Sequence, residues 1–316
     1  MKVVKKIMLI IGIVLLALIV MIAVIVIFNS KKTVAPTDYS QTVETGGEIE
    51  AKYMANGIYE ISHFEEPVLQ GFGKYVIYYP VELERADKTW PVVVVANGSG
   101  CKASKYSALF EHLASWGFIV IGTEEEYDWN GFASEMCVRH LIRLNEIEIV
   151  NDKDNPFRGK INLDNVGATG HSQGGVGVIN AITAQEHKDI YKAAVSLSPT
   201  NKELANNLEW SYDASKIETP ILLMSGGDDY AVNEDQLKEI YNDIMSDKCM
   251  AIRVNTEHNP MLYSGDGYVT AWFMYWLQGD EYAGTAFFGE NAEIRSNAYW
   301  QDTDTFLQED KENIQT

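Results

Sequence analysis

Cysteine is scarce in this chain of 316 residues: three are present, Cys101, Cys137 and Cys249, with no C-x-x-C pair and no zinc-ligand spacing. That excludes a disulfide framework or a thiolate metal cluster as the basis of the fold. Basic residues are also few, 25 against 45 acidic ones. Five of the 25, and none of the acids, fall in the first 32 positions, so the rest of the chain carries 20 basic against 45 acidic residues, a formal charge of −25. Such a surface repels nucleic acid, which is not an expected partner, and disfavours an anionic polymer as substrate. No internal repeat is present, and no motif calls for a cofactor or a metal ion. The acidic runs 124–126 and 152–154 lack ligand-like spacing and read as solvated ends of elements.

One long apolar run stands against these absences. Residues 7–28 form 22 uninterrupted apolar or small positions, framed by Lys2, Lys5 and Lys6 before and Lys31 and Lys32 after. The length suffices to cross a bilayer, and there is no short apolar core with a small-residue cleavage motif, so a signal anchor is expected. The lysines before the run, with the terminal amine, outnumber those after it, which places 1–6 in the cytoplasm and the remainder outside. Residues 29–50 read as a tether without periodicity. The span 51–306 is then one compact domain, expected to act as a monomer, followed by a polar tail at 307–316.

The most telling motif is Gly170-His171-Ser172-Gln173-Gly174-Gly175. It follows a buried-strand pattern at 166–169 and precedes a helix pattern rich in glycine and alanine. A serine on so tight a strand-to-helix turn is held in strain and presented at the carboxyl edge of a sheet. The motif is short, so its partners matter more than the match itself. An apolar strand at 220–224 runs into Ser225-Gly226-Gly227-Asp228-Asp229, which delivers a carboxylate just past the strand end. Asp229 is preferred from its spacing to Gly226 and Val232, with Asp228 the alternative. The next strand, 250–254, leads to His258. The remaining histidines have plainer positions: His171 within the turn itself, and His63, His112, His140 and His187 on a strand end or helix faces.

Serine, acid and histidine in this order at successive strand ends are the parts of a nucleophilic triad. Ser172 would attack an acyl carbon, His258 would take and return the proton, and the Asp would hold the imidazole. The negative oxygen that develops needs preorganised donors. One is the N–H of Gln173, next to the nucleophile. The other should come from the Gly-rich loop Asn97-Gly98-Ser99-Gly100-Cys101 after the strand 92–96, from Ser99 or from neighbouring Gly98, which also borders the substrate. Trp210, Tyr127 and Trp129 are candidates to line an acyl cleft, Trp210 foremost.

From about Gly57 to Trp300 the chain resembles the α/β-hydrolases of the chlorophyllase, dienelactone-hydrolase and cutinase-like polyester-hydrolase group. The resemblance rests on Tyr79-Pro80, Trp90 to Val94, Leu113 to Val120, Gly170 to Gly175, Lys216 to Pro220 and the stretch Ala271 to Asp280. It implies a serine esterase with an open cleft and no large cap domain, and the short connection 199–219 agrees. One departure stands out. Polyester hydrolases of this group carry an aromatic residue after the glycine of the oxyanion loop, where this chain has Ser99, so an aromatic clamp for a polymer is not implied.

The expected fold is α/β, a doubly wound and mainly parallel sheet. Strands are expected at 58–61, 74–79, 92–96, 118–122, 166–169, 193–198, 221–225 and 250–255. Helices are expected at 105–116, 134–150, 175–185, 235–245 and 267–278. The segment after Tyr282 should pack against the sheet's side. Cys101 and Cys137 form the one disulfide these placements suggest. The function expected is hydrolysis of a small carboxylic ester. Acyl transfer or amide hydrolysis on the same triad, and a non-catalytic surface binding domain, are the alternatives.

Overall fold

A computed structural model of the chain describes residues 20–21, 33–67 and 73–308. The anchor expected at 7–28 lies outside the described residues apart from Val20 and Met21, as does the tail beyond residue 308. Among the described residues no helix is long and apolar enough to cross a membrane.

From Ala35 onward the chain is one compact unit. Its strands are β1 (Ile61–Pro67), β2 (Lys74–Pro80), β3 (Trp90–Ala96), β4 (Ile119–Thr123), β7 (Ile161–His171), β8 (Tyr191–Leu197), β9 (Ile221–Asp228), β10 (Lys248–Glu257) and β11 (Trp300–Phe306), with β5 (Ile149–Val150) and β6 (Lys153–Asp154) forming a separate two-residue hairpin. The nine-stranded sheet has the order β1-β2-β4-β3-β7-β8-β9-β10-β11. All its central pairs from β4 to β10 are parallel, while β1, β2 and β11 run antiparallel at the margins. The main helices are α1 (Glu48–Met54), α2 (Ser107–Ser115), α3 (Phe132–Glu146), α4 (Gln173–Ala184), α5 (Glu234–Asp243), α6 (His258–Ser264) and α7 (Asp266–Gln278).

The strand sequences explain the layering, because side chains alternate between the faces of a sheet and a parallel strand covered on both is apolar throughout. Val92 and Val94, Ile119 and Ile121, Val166 and Ala168, Ile221 and Leu223 share one core with Val138 and Leu141 of α3, Val178 and Ile182 of α4 and Ile240 of α5. Gly167, between Val166 and Ala168, faces the opposite layer, where Phe273 and Leu277 of α7 lie against it. The parallel strands therefore end together at one carboxyl edge, where ligands of such sheets bind.

Three expectations are corrected. The stretch read as a tether to residue 50 is packed from Ala35: Tyr39, Ile49, Glu50, Tyr53 and Met54 are buried. The Glu50 carboxylate receives Arg253 Nη1 at 2.9 Å, Asn297 Nδ2 at 2.7 Å, Trp300 Nε1 at 2.8 Å and the Gly46 amide at 2.8 Å. A buried carboxylate persists only when so paired, which makes this segment part of the domain. The first strand is 61–67 rather than 58–61, and the end of the domain supplies a ninth strand, β11, on the edge beside β10. Lastly, all three cysteines are free. Cys137 is buried in the core cluster on α3, whereas Cys101 is half-exposed after the β3 loop, so the expected bridge does not form.

Candidate active site

Ser172 occupies the turn between β7 and α4 at φ 61° and ψ −120°. A side chain there costs about 1–3 kcal/mol of backbone strain, which the surrounding contacts must hold in place. The Ser172 amide donates to Leu197 O at 2.9 Å, and its carbonyl accepts the Gly175 amide at 3.0 Å. Gly174 is required for a different reason: a Cβ there would collide with the main-chain oxygen of Ala96 on β3. The turn thus lies directly on the neighbouring strand, and Ser172 itself is half-buried.

His258 follows the last residue of β10 and opens α6. Its Nδ1 lies 2.9 and 3.0 Å from the two carboxylate oxygens of Asp229. Asp228 is exposed, so the geometry separates the two neighbours and pairs Asp229 with the histidine. The reason is local. A Cβ at Gly226 would run into Thr256 O, so the ends of β9 and β10 approach closely, and Asp229 Oδ1 folds back to accept the amides of Ala231 at 2.7 Å and Val232 at 3.3 Å. Burial alone would raise the Asp229 carboxyl, but the hydrogen bonds it accepts, that from His258 foremost, and the His258 charge together outweigh it and hold the group below its ordinary value.

Two aromatic rings flank His258, His171 at 4.5 Å and Tyr230 at 4.6 Å between centroids. His171 Nε2–H donates to His258 O at 2.7 Å, and burial, with the neighbouring His258, pushes His171 down to about 4. It is therefore neutral near pH 7, and it links the serine turn directly to the histidine loop. Tyr230 is 78 % exposed despite its ring contact. Neither the Ser172 hydroxyl nor His258 Nε2 has a hydrogen-bond partner among the described residues, which leaves both available to a ligand.

The loop after β3 distinguishes its donors just as clearly. Gly98 is buried and its amide donates to Tyr106 Oη at 2.9 Å; the Gly100 amide goes to Glu126 O at 2.9 Å and that of Cys101 to Gly98 O at 3.1 Å. The Ser99 amide alone of the four has no acceptor among the described residues, and Ser99 is exposed. The Gly98 amide is thus committed to the Tyr106 hydroxyl, whereas that of Ser99 is open. Gln173 opens α4, and a first-turn amide has no partner within its own helix. Asn180 Nδ2 donates to Trp129 O at 2.8 Å and Ser211 O at 3.2 Å, which ties half-buried Trp129 and the residue after half-buried Trp210 to α4; Tyr127 is exposed.

Glu135, Glu186 and His187 form a cluster of possible metal-ligand atoms within 4.8 Å of one another. Arg139 bridges both glutamates and His187 Nδ1 bonds Glu135 at 2.7 Å, so these ligand atoms are already engaged with one another and with the arginine.

A family model described as PET hydrolase-like matches residues 39–301. The chain belongs to the PET hydrolase-like family. Among proteins similar to this member, a bis(hydroxyethyl) terephthalate hydrolase of Streptomyces coelicolor is 29% identical over 161 residues, 50% of this chain and 46% of that protein. Cutinases est1 and est2 of Thermobifida alba are each 29% identical over 129 residues, 41% of this chain and 40% of theirs. The chain thus spans under half the length of these relatives. The PET hydrolase-like match begins at residue 39, within the segment the structure finds packed onto the domain.

Sequence reasoning missed the histidine contact of His171 and Tyr230. His171 was visible inside the serine motif. Tyr230 follows Asp229 directly, and that adjacency was its only signal.

Proposed function

We propose that this chain is a serine hydrolase that cleaves carboxylic esters through an acyl-Ser172 intermediate. The observation that carries the reading is the buried His258–Asp229 pair at the same sheet edge as a strained, half-buried serine. In this mechanism His258 Nε2 takes the Ser172 proton as Oγ attacks the ester carbonyl carbon. Asp229 keeps the Nδ1 proton in place and balances the imidazolium. The amides of Ser99 and Gln173 receive the tetrahedral oxygen, contributing on the order of 3 kcal/mol for each donor. Collapse breaks the ester C–O bond, and His258 returns the proton to the departing alcohol. Water then repeats the sequence against the acyl-serine and releases the acid.

The names of the similar proteins support esters of the polyester type as the substrate class. Tyr230, Trp129 and Trp210 offer aromatic surface for the acyl or alcohol portion. The apolar run 7–28 with its lysine asymmetry supports an enzyme anchored in the cell membrane with the hydrolase outside.

Hydrolysis of a chain-length series of nitrophenyl esters by the full chain, with Ser172→Ala as control, tests the reading. Turnover that depends on Ser172 and varies with acyl length is expected. Well-folded protein inert toward every ester would transfer the site to a binding role.

A further inference from the structure

The two amides assigned to the oxyanion sit on separate elements, the loop after β3 and the start of α4, yet both are attached to one short segment, Thr123 to Asp128. On the first side, Asn97 Nδ2 donates to Thr123 O at 2.7 Å and to Glu125 O at 2.6 Å, while the Gly100 amide donates to Glu126 O at 2.9 Å. These bonds fix the residues on both sides of Ser99. On the second side, the Asp128 amide donates to Gln173 Oε1 at 3.2 Å, so the side chain of the residue carrying the second donor is held by the same segment. Its far end is itself fixed, because the Asp128 carboxylate accepts the amides of Ala133 and Ser134 at the start of α3, at 2.8 and 3.1 Å.

Both side-chain amides are buried, and each leaves half its hydrogen-bonding capacity without a partner among the described residues: Asn97 Oδ1 and Gln173 Nε2. A buried amide that is only half satisfied is a poor way to fill a core, and such a group calls for a reason in what its bonded half does.

We propose that Asn97 and the Gln173 side chain are positioning residues that clamp the oxyanion loop and the serine turn to the segment Thr123–Asp128, so that the Ser99 and Gln173 amides converge on one oxygen. This rests on the hydrolase reading above. The acidic run Glu124-Glu125-Glu126 then has a structural task beyond solvation: its main-chain carbonyls face the oxyanion loop, and the Glu124 carboxylate caps Ser104 at 2.8 Å.

The test pairs Gln173→Met with Asn97→Leu in the full chain, each assayed on an oxoester and on the matching thionoester. Sulfur accepts hydrogen bonds weakly and sits farther from carbon, so only the oxoester benefits from donors set for oxygen. A displaced donor should lower kcat on the oxoester by roughly 10- to 100-fold, short of the full loss of one donor. KM and kcat on the thionoester should change far less, so the ratio of the two kcat values collapses toward one. Equal losses on both esters, or an unchanged ratio, would overturn the clamp. Should Asn97→Leu fail to fold, the ratio in Gln173→Met decides. Wild-type protein that hydrolyses neither ester would bring down the hydrolase reading itself, and the clamp with it.

Discussion

Among the described residues the domain contains two buried histidine–aspartate pairs, and only one of them lies at the sheet edge that carries the strained Ser172 turn. His258 meets Asp229 through Nδ1 and has Nε2 left over. His112, on α2, lies 3.5 Å from Asp266 on α7, and both of its ring nitrogens are engaged: Nδ1 with Asn56 Oδ1 at 3.3 Å, and Nε2 with Tyr53 O at 3.0 Å and Thr270 Oγ1 at 3.2 Å. The acids differ as well. Burial outweighs the His112 charge and the Tyr39 hydrogen bond and raises the Asp266 carboxyl, whereas hydrogen bonds and charge hold Asp229 down. A buried His–Asp pair is therefore no signature by itself. What sets His258 apart from His112 is a ring nitrogen without a partner among the described residues, at the sheet edge where the strained Ser172 turn lies.

The sharpest way to break the comparison is to delete each pair in turn. Ser172→Ala or His258→Ala should cost about 10⁴-fold or more in kcat. His112→Asn should leave kcat nearly intact and lower stability by about 1–3 kcal/mol, as expected for buried groups left unpaired. Equal loss of activity on both sides, read by ester hydrolysis beside thermal melting, would erase the distinction.

Next in size comes the choice of acid. Asp229→Asn should lower kcat by about 10⁴-fold through loss of the histidine tautomer, while Asp228→Asn, on an exposed carboxylate, should change it less than about threefold. The reverse order, in steady-state kinetics of the two variants, would move the role to Asp228.

A third contrast concerns the site where the amino-terminal segment docks. Arg253→Met leaves the Glu50 charge buried without its cation and should cost about 3–5 kcal/mol in denaturant unfolding. Adding Glu50→Gln should recover part of that. Neither change should alter kcat, because the pair lies outside the contacts of the proposed Ser172, His258 and Asp229 site.

The smallest effect is a dependence on pH. His171 is held at about 4 against an ordinary 6.5, so below pH 6.5 the unfolded chain takes up a proton that the folded one refuses until about pH 4. Folded stability should therefore decline by a few kcal/mol as pH falls across that window and be unaffected above it. His171→Phe should flatten the slope of unfolding free energy between pH 6.5 and 4. An unchanged slope would mean that His171 does not supply it.

Much of the sheet could be read from sequence because its central strands are apolar on both faces, as Val92 to Val95 and Ile221 to Met224 show. The order of serine, acid and histidine followed from the ends of those strands. β11 was not legible, since Trp300-Gln301-Asp302-Thr303-Asp304-Thr305-Phe306 is polar and pairs on one side only. The segment from Ala35 to Glu50 was misread because it buries a charge, and composition gives no sign of the arginine 203 positions away that receives it. The choice between adjacent aspartates depended on how closely β9 and β10 converge at Gly226. That the Gly98 amide is engaged and the Ser99 amide is not depends on a tyrosine hydroxyl eight residues farther on. These are matters of tertiary register, which local pattern does not encode.

The Glu50 cluster also determines how the domain can be handled. Glu50 bonds Asn297 and Trp300, and Glu44 meets the Tyr299 hydroxyl at 2.9 Å, so the two ends of the fold are knotted together at one place beside β10. A chain closed across that knot and opened at a distant surface turn would keep every strand that leads to Ser172, Asp229 and His258 in sequence with its neighbours. By the same geometry, tension applied between the ends would load the outermost contacts first, Tyr39 with Asp266 at one end and Phe306 beside Lys248 at the other, and reach the Arg253–Glu50 pair only after they had failed.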